Sequence, residues 1–216
     1  MKNNSGYWHR DTKSMIFTTP LPPKCFLKYI YKDSKILDFG CGYGRLVTYL
    51  RNRGYYNYLG IDISKGLISR AKKTNPTCAF QVASLETLLK EKKKFDAVII
   101  LGVIENILGN TKRKKFAKEV FNILNNKGVV YLETFLLDKK IHGSNYLIAH
   151  STHKPYGTLI LKEGKLLLFH DTKNGIDTLF HNAGFVKKKS SVVKFSTWND
   201  KHVNGYEVLY RKELTE

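Results

Sequence analysis

Apolar residues along this chain come in short runs, and the spacing between the runs changes period. Runs at 35–39, 57–62, 78–82 and 95–101 are five to seven residues long, the length expected of buried strands. Between them the apolar positions recur every three or four residues, which predicts helices near 44–54, 64–73, 85–91 and 112–124, with a fifth strand over 128–136. The run Phe95-Asp96-Ala97-Val98-Ile99-Ile100-Leu101 is apolar on both faces, as a central parallel strand must be. Gly54 fits a helix stop and Pro76 a break before the third strand. This alternation predicts an α/β fold, a doubly wound sheet of about seven strands flanked by helices. After Leu137 the alternation stops, and 138–172 reads as an insertion holding a hairpin, Thr158–Leu161 and Lys165–Phe169. A helix near 173–183 and strands near 185–195 and 203–210 follow. With no repeat, low-complexity tract or linker, 1–216 is expected to be one domain, 1–34 serving as an N-terminal cap.

Composition narrows the class. No apolar run reaches the ~18 residues of a membrane span, and the first ten residues lack the apolar core of a signal peptide. Cys25, Cys41 and Cys78 are odd in number and scattered, which argues against a disulfide framework or a zinc site and for a reducing cytoplasm. His150 and His153 have no further ligand at metal spacing, so no metal is expected. The net charge of +19, from 37 basic against 18 acidic residues, invites a nucleic-acid reading. Yet 30 of the 37 are Lys and 7 Arg, whereas bidentate recognition of bases and phosphates favours Arg. The excess looks as much like a coding bias as a binding surface, and it is equally compatible with an anionic small molecule.

The most informative stretch is Lys35 to Leu50, in which an apolar strand runs into Asp38, then Gly40, Gly42 and Gly44, then a helix. Such glycines let the backbone turn sharply and approach a ligand closely, and the helix N-terminus turns its amides to the same place. The third glycine comes one residue earlier than in the dinucleotide fingerprint Gly-x-Gly-x-x-Gly. Asp38 before the loop favours a ligand with a cationic amino group over a pyrophosphate. Here the chain resembles the class I S-adenosylmethionine-dependent methyltransferases, whose first motif has this form.

Further segments match in order and spacing from about Lys35 to Leu137. The second strand ends in Asp62, near the usual offset of ~20 residues for a carboxylate that holds ribose hydroxyls; the plainer reading of Asp62 is a helix cap. Ser84-Leu85 stands where the family usually has an acid for the adenine amino group, and Glu105-Asn106 where an acid is commonly followed by His. The resemblance implies S-adenosylmethionine as cofactor, S-adenosylhomocysteine as product, and a last strand that runs antiparallel. It also implies cofactor contacts from Asp38, Gly40, Cys41, Gly42, Asp62, Ile63, Ser84, Leu85 and Leu101.

The acceptor side is less specific. Segment 1–25, loop 102–110 and insertion 138–172, the expected substrate lid, are placed to fold over the crevice. Glu105, Tyr156 and His170 are the candidates for positioning or deprotonating the acceptor. Trp8, His150, Asp171 and Trp198 are candidates for substrate contacts. His170-Asp171 could pair as imidazole and carboxylate, or Asp171 could cap the next helix. The expected activity is methyl transfer to O or N of a small metabolite, an anionic one being compatible with the charge. An RNA methyltransferase and a cofactor-binding protein without turnover are the alternatives. Neither an Asn-Pro-Pro-Tyr tetrapeptide nor a Cys pair placed for base attack is present.

Overall fold

A computed structural model describes residues 5–9, 16–161, 166–196 and 202–213. Five strands, β1 (Ile36–Phe39), β2 (Tyr58–Asp62), β3 (Ala79–Val82), β4 (Phe95–Leu101) and β5 (Leu124–Phe135), run parallel. The helices are α1 (Ser5–Trp8), α2 (Arg45–Arg51), α3 (Lys65–Thr74), α4 (Leu85–Lys90), α5 (Asn110–Ile123), α6 (Lys139–Ser151) and α7 (Lys173–His181). The hairpin β6 (Thr158–Leu161) and β7 (Leu166–Phe169) stands apart as a two-stranded sheet. Strands β8 (Phe185–Ser196) and β9 (His202–Lys212) complete a main sheet of seven, in the order β3-β2-β1-β4-β5-β9-β8. As expected, the last strand is antiparallel; β9 opposes both β5 and β8. That leaves β8 as the outer strand, with its register shifted between Lys187 and Lys189.

Each face of the sheet buries an apolar layer. On one side Leu37, Val98, Ile100, Val130 and Leu132 pack with Leu88 of α4, Phe116 and Val120 of α5, and Phe180 of α7. On the other Ile36, Ala97, Ile99 and Tyr131 pack with Leu46 and Leu50 of α2, Ile68 of α3, and Phe26 from the N-terminal segment. Residues at odd and even places along one strand thus serve opposite layers, which is why β4 must be apolar throughout.

Two departures from the sequence pattern have local causes. The fifth strand begins at Leu124 rather than 128, because Leu124 already pairs with Phe95 before the register shifts. The insertion contains α6 as well as the hairpin; Asp138 caps it, its carboxylate accepting from the amides of Lys140 and Ile141. No helix among the described residues is long and apolar enough to cross a membrane.

Candidate active site

In open α/β sheets ligands bind beyond the carboxyl ends of the strands, where the strand order reverses. Here that point lies between β1 and β4. The loop after β1 turns at Gly40 (φ +75°), where a Cβ would lie 2.5 Å from Val103 of the loop after β4, so the two loops touch across the switch point. A Cβ on Gly42 (φ +54°) would meet Phe17 at 2.3 Å. The loop is held from below by the amides of Gly40 and Cys41, which both donate to the carbonyl of Ile61. The Asp62 carboxylate fixes it from the side, accepting from Gly42 N at 3.1 Å and from Ser64 N at 2.8 Å. Ser64, not Asp62, caps α3, its hydroxyl accepting from Leu67 N. Asp62 thus keeps free lone pairs on oxygens of fixed orientation, as bidentate binding of a diol requires.

Asp38 ends up 2% exposed, accepting from the Tyr58 hydroxyl at 2.8 Å. Burial pushes its pKa up to about 7, against the lowering effects of Tyr58 and Arg45. A cation brought beside it would restore the ionised form. At the carboxyl ends of β2 and β3, Ile63 and Val82 remain 45% and 43% exposed, offering apolar surface on which an aromatic base can lie. Leu101 is half-buried at the end of β4. Ser84 is exposed and caps α4, accepting from Thr87 N. Cys41 and Leu85 turn their side chains into the core, leaving backbone atoms to meet a ligand.

The N-terminal segment spans this crevice. Trp8 donates from Nε1 to Asn106 of the β4 loop at 3.1 Å, and Phe17 stacks on Tyr43 at 5.2 Å. Arg45 donates to the carbonyl and hydroxyl of Thr19. Beyond the loop, Glu105 is 2% exposed and accepts from the Thr134 hydroxyl at 3.1 Å. Burial raises its pKa to about 7.

His170 and Asp171 do not form the imidazole–carboxylate pair that their adjacency suggests. Neighbours on a chain passing between two elements point different ways. His170 is buried and meets the Tyr146 hydroxyl through Nδ1 at 2.9 Å, and desolvation pushes its pKa down to about 3. A neutral imidazole of that pKa is a poor base at neutral pH. Asp171 instead accepts from Arg113 at 2.9 Å and from Thr172 N, while Thr172 caps α7. Tyr156 lies among Tyr146, His150 and the Lys139 ammonium, and His150 meets the Lys154 carbonyl. Trp198 lies outside the described residues. Among the described residues no group of three His, Cys, Asp or Glu could hold a metal ion.

Residues 36–128 match the model of the family described as a methyltransferase domain. Over that stretch, a little under half of its length, the chain is similar to methyltransferase domains. A solved S-adenosylmethionine-dependent methyltransferase from Methanosarcina mazei shares this methyltransferase fold, with a TM-score of 0.82, 21% identity, and coverage of 91% of this chain and 100% of the other. A ubiquinone biosynthesis O-methyltransferase of Pelagibacter ubique is 35% identical over 107 residues, which are 48% of this chain and 42% of the relative. A ubiquinone/menaquinone biosynthesis C-methyltransferase of Campylobacter jejuni is 28% identical over 118 residues, 52% of this chain and 49% of the relative. The chain spans about half the length of the curated relatives it matches.

Around the crevice stand buried ionisable residues that sequence reasoning missed. Arg113 of α5 is 3% exposed and joins the β4 loop, through the Ile104 carbonyl, to the insertion, through Asp171. Glu133 is fully buried opposite Glu207 on β9, and burial raises its pKa to about 9. Val82 was legible as a strand end, but its exposure was not. A buried acid in an otherwise apolar strand was the available signal for Glu133.

Proposed function

We propose that this chain transfers a methyl group from S-adenosylmethionine to O or N of a small metabolite in the cytoplasm. The observation that carries the reading is the convergence of Asp38, the glycine loop and Asp62 at the switch point of a sheet whose residues 36–128 match a methyltransferase domain. These residues suit the parts of the cofactor in turn: Asp38 its ammonium, Asp62 its ribose diol, and Ile63 and Val82 its adenine. S-adenosylmethionine supplies a methyl on a sulfonium, whose carbon–sulfur pair goes to sulfur as a lone pair of the acceptor forms the new bond.

The protein's own task is alignment and exclusion of water. Segment 1–34 acts as cap and 138–172 as substrate lid, and an enclosed pocket suits a compact acceptor better than a duplex. Glu105, with a pKa near neutrality, is the group we assign to take the acceptor's proton. His150, Tyr156 and Trp8 are assigned to the pocket wall. Relatives named for O- and C-methylation in ubiquinone biosynthesis support a small-molecule acceptor. Three free cysteines support a reducing compartment.

The test is to incubate the protein with methyl-labelled S-adenosylmethionine and extract from its own source, and to separate RNA, DNA, protein and small molecules. Asp62→Asn serves as the blank. Label among small molecules is the expected result. Label in RNA would make the basic surface a substrate site, and no label in any fraction would leave cofactor binding without turnover.

A further inference from the structure

The insertion fixes one imidazole tautomer and leaves it one donor to spend. Tyr146 of α6 is fully buried; its hydroxyl lies 3.3 Å from the amide of Asp138 and 2.9 Å from Nδ1 of His170. The amide must donate, so the hydroxyl oxygen accepts there. If Nδ1 also donated to that oxygen, the phenolic proton and the Nε2 lone pair would both be buried without partners. If the phenol donates to Nδ1, the Nε2–H alone is unmatched. Each unmatched buried group costs about 1–3 kcal/mol, so the second arrangement prevails and His170 carries its proton on Nε2.

That Nε2 has no hydrogen-bond partner among the described residues, although the ring is 3% exposed. The ring stacks on Phe135, centroids 5.7 Å apart, at the carboxyl end of β5. The preceding residue, Thr134, donates to Glu105. The hairpin strand that ends at Phe169 packs on the turn that carries Glu105. The unmatched donor and the buried carboxyl therefore both lie at the carboxyl end of β5, beside the turn on which the hairpin packs. Folded proteins seldom leave a buried donor unmatched, and such a group often has a catalytic role or meets a water, ion or ligand.

We propose that the Nε2–H of His170 donates to an oxygen of the methyl acceptor, which makes the substrate class an oxygenated ring or acid, with a phenolate, carbonyl or carboxylate, rather than an alkylamine. The inference rests on the methyl-transfer reading. Tyr146 acts through His170 as a positioning residue, because its hydroxyl decides which ring nitrogen carries the proton.

The experiment uses the full chain, 15N-labelled at histidine and saturated with S-adenosylhomocysteine. Long-range 15N–1H correlation spectra follow His170 as hydroxybenzoates and catechols are added, beside anilines and benzylamines of equal ring size. A neutral Nε2–H imidazole whose Nε2 signal moves with the oxygen-bearing probes and not with the amines is the expected result. His170→Phe, which keeps the stack, is expected to weaken that probe binding by about 10- to 100-fold, and His170→Gln, which keeps a donor, by less than about threefold. Tyr146→Phe should retain S-adenosylhomocysteine affinity while His170 populates both tautomers. An Nδ1–H tautomer overturns the proposal, as does an Nε2 signal that answers amines equally or no probe at all. Calorimetry on the same sample separates the two readings. Failure to bind S-adenosylhomocysteine defeats methyl transfer itself, whereas binding with an unresponsive His170 defeats only this inference.

Discussion

Asp38 and Asp62 end neighbouring strands, yet the fold treats them differently. Asp62 is held by two backbone amides, whereas Asp38 has one phenol for company and a pKa of about 7. Asp62→Asn keeps the shape but loses the charge, and is expected to weaken S-adenosylmethionine binding by about 10- to 100-fold, read by calorimetry, with little change in melting temperature. Asp38 is partly protonated near neutrality in the ligand-free protein, so a bound ammonium is expected to drive its proton off. Binding enthalpies near pH 6.5, measured in buffers of differing ionisation enthalpy, should report up to about one proton released. The same raised values set the pH dependence of folding. Below the ordinary carboxylate pKa both states are protonated and nothing is lost; above it only the unfolded chain ionises, so stability falls as pH rises toward 7 for Asp38 and Glu105. Denaturant midpoints of the ligand-free protein are therefore expected to decline across that window, and added S-adenosylmethionine should flatten the decline. The glycines and both acids were legible because a turn and its neighbours are local in sequence. The partners of His170 and Glu105 were not: Tyr146 lies 24 residues from the first and Thr134 lies 29 from the second.

At the scale of elements, the strands could be read almost to the residue because burial on both faces leaves little choice of side chain. Helix α6 escaped notice, since Gly143, Ser144 and Asn145 interrupt its apolar period with poor helix formers. Its cap, Asp138, was the visible sign. The insertion is joined to the rest through Arg113, which reaches Asp171 and the Ile104 carbonyl and lies over the Phe169 ring at 5.0 Å. Removing one partner of so buried a pair strands the other, so Arg113→Ala is expected to cost about 3 kcal/mol, read from denaturant unfolding. Limited proteolysis should then cut first between 138 and 172, with the sheet still intact. Asp171→Asn keeps a hydrogen-bond acceptor and is expected to cost less.

For the whole molecule, a doubly wound sheet of about seven strands followed from the alternation of strand and helix and the antiparallel last strand from the family resemblance, whereas the order of the strands and the meaning of the +19 charge did not, because a count of lysines says nothing of where they lie. Retention of RNA by the protein is expected to be non-specific, falling by orders of magnitude between about 50 and 200 mM salt, while cofactor affinity, set in a partly closed crevice, changes far less; filter binding and calorimetry across that range check both. Some of the charge has a position that explains it. The free flank of β8 presents unpaired amides and carbonyls along twelve residues, a template on which a foreign strand could grow. Lys187, Lys188, Lys189 and Lys194 stand exposed along it, the first two paired with Asp177 and Glu213, and the register slips at Lys188. Any incoming copy would have to seat its own Lys189 and Lys194 against these. The edge is thereby insulated against fibre-like stacking, a protection that weakens as salt screens the repulsion.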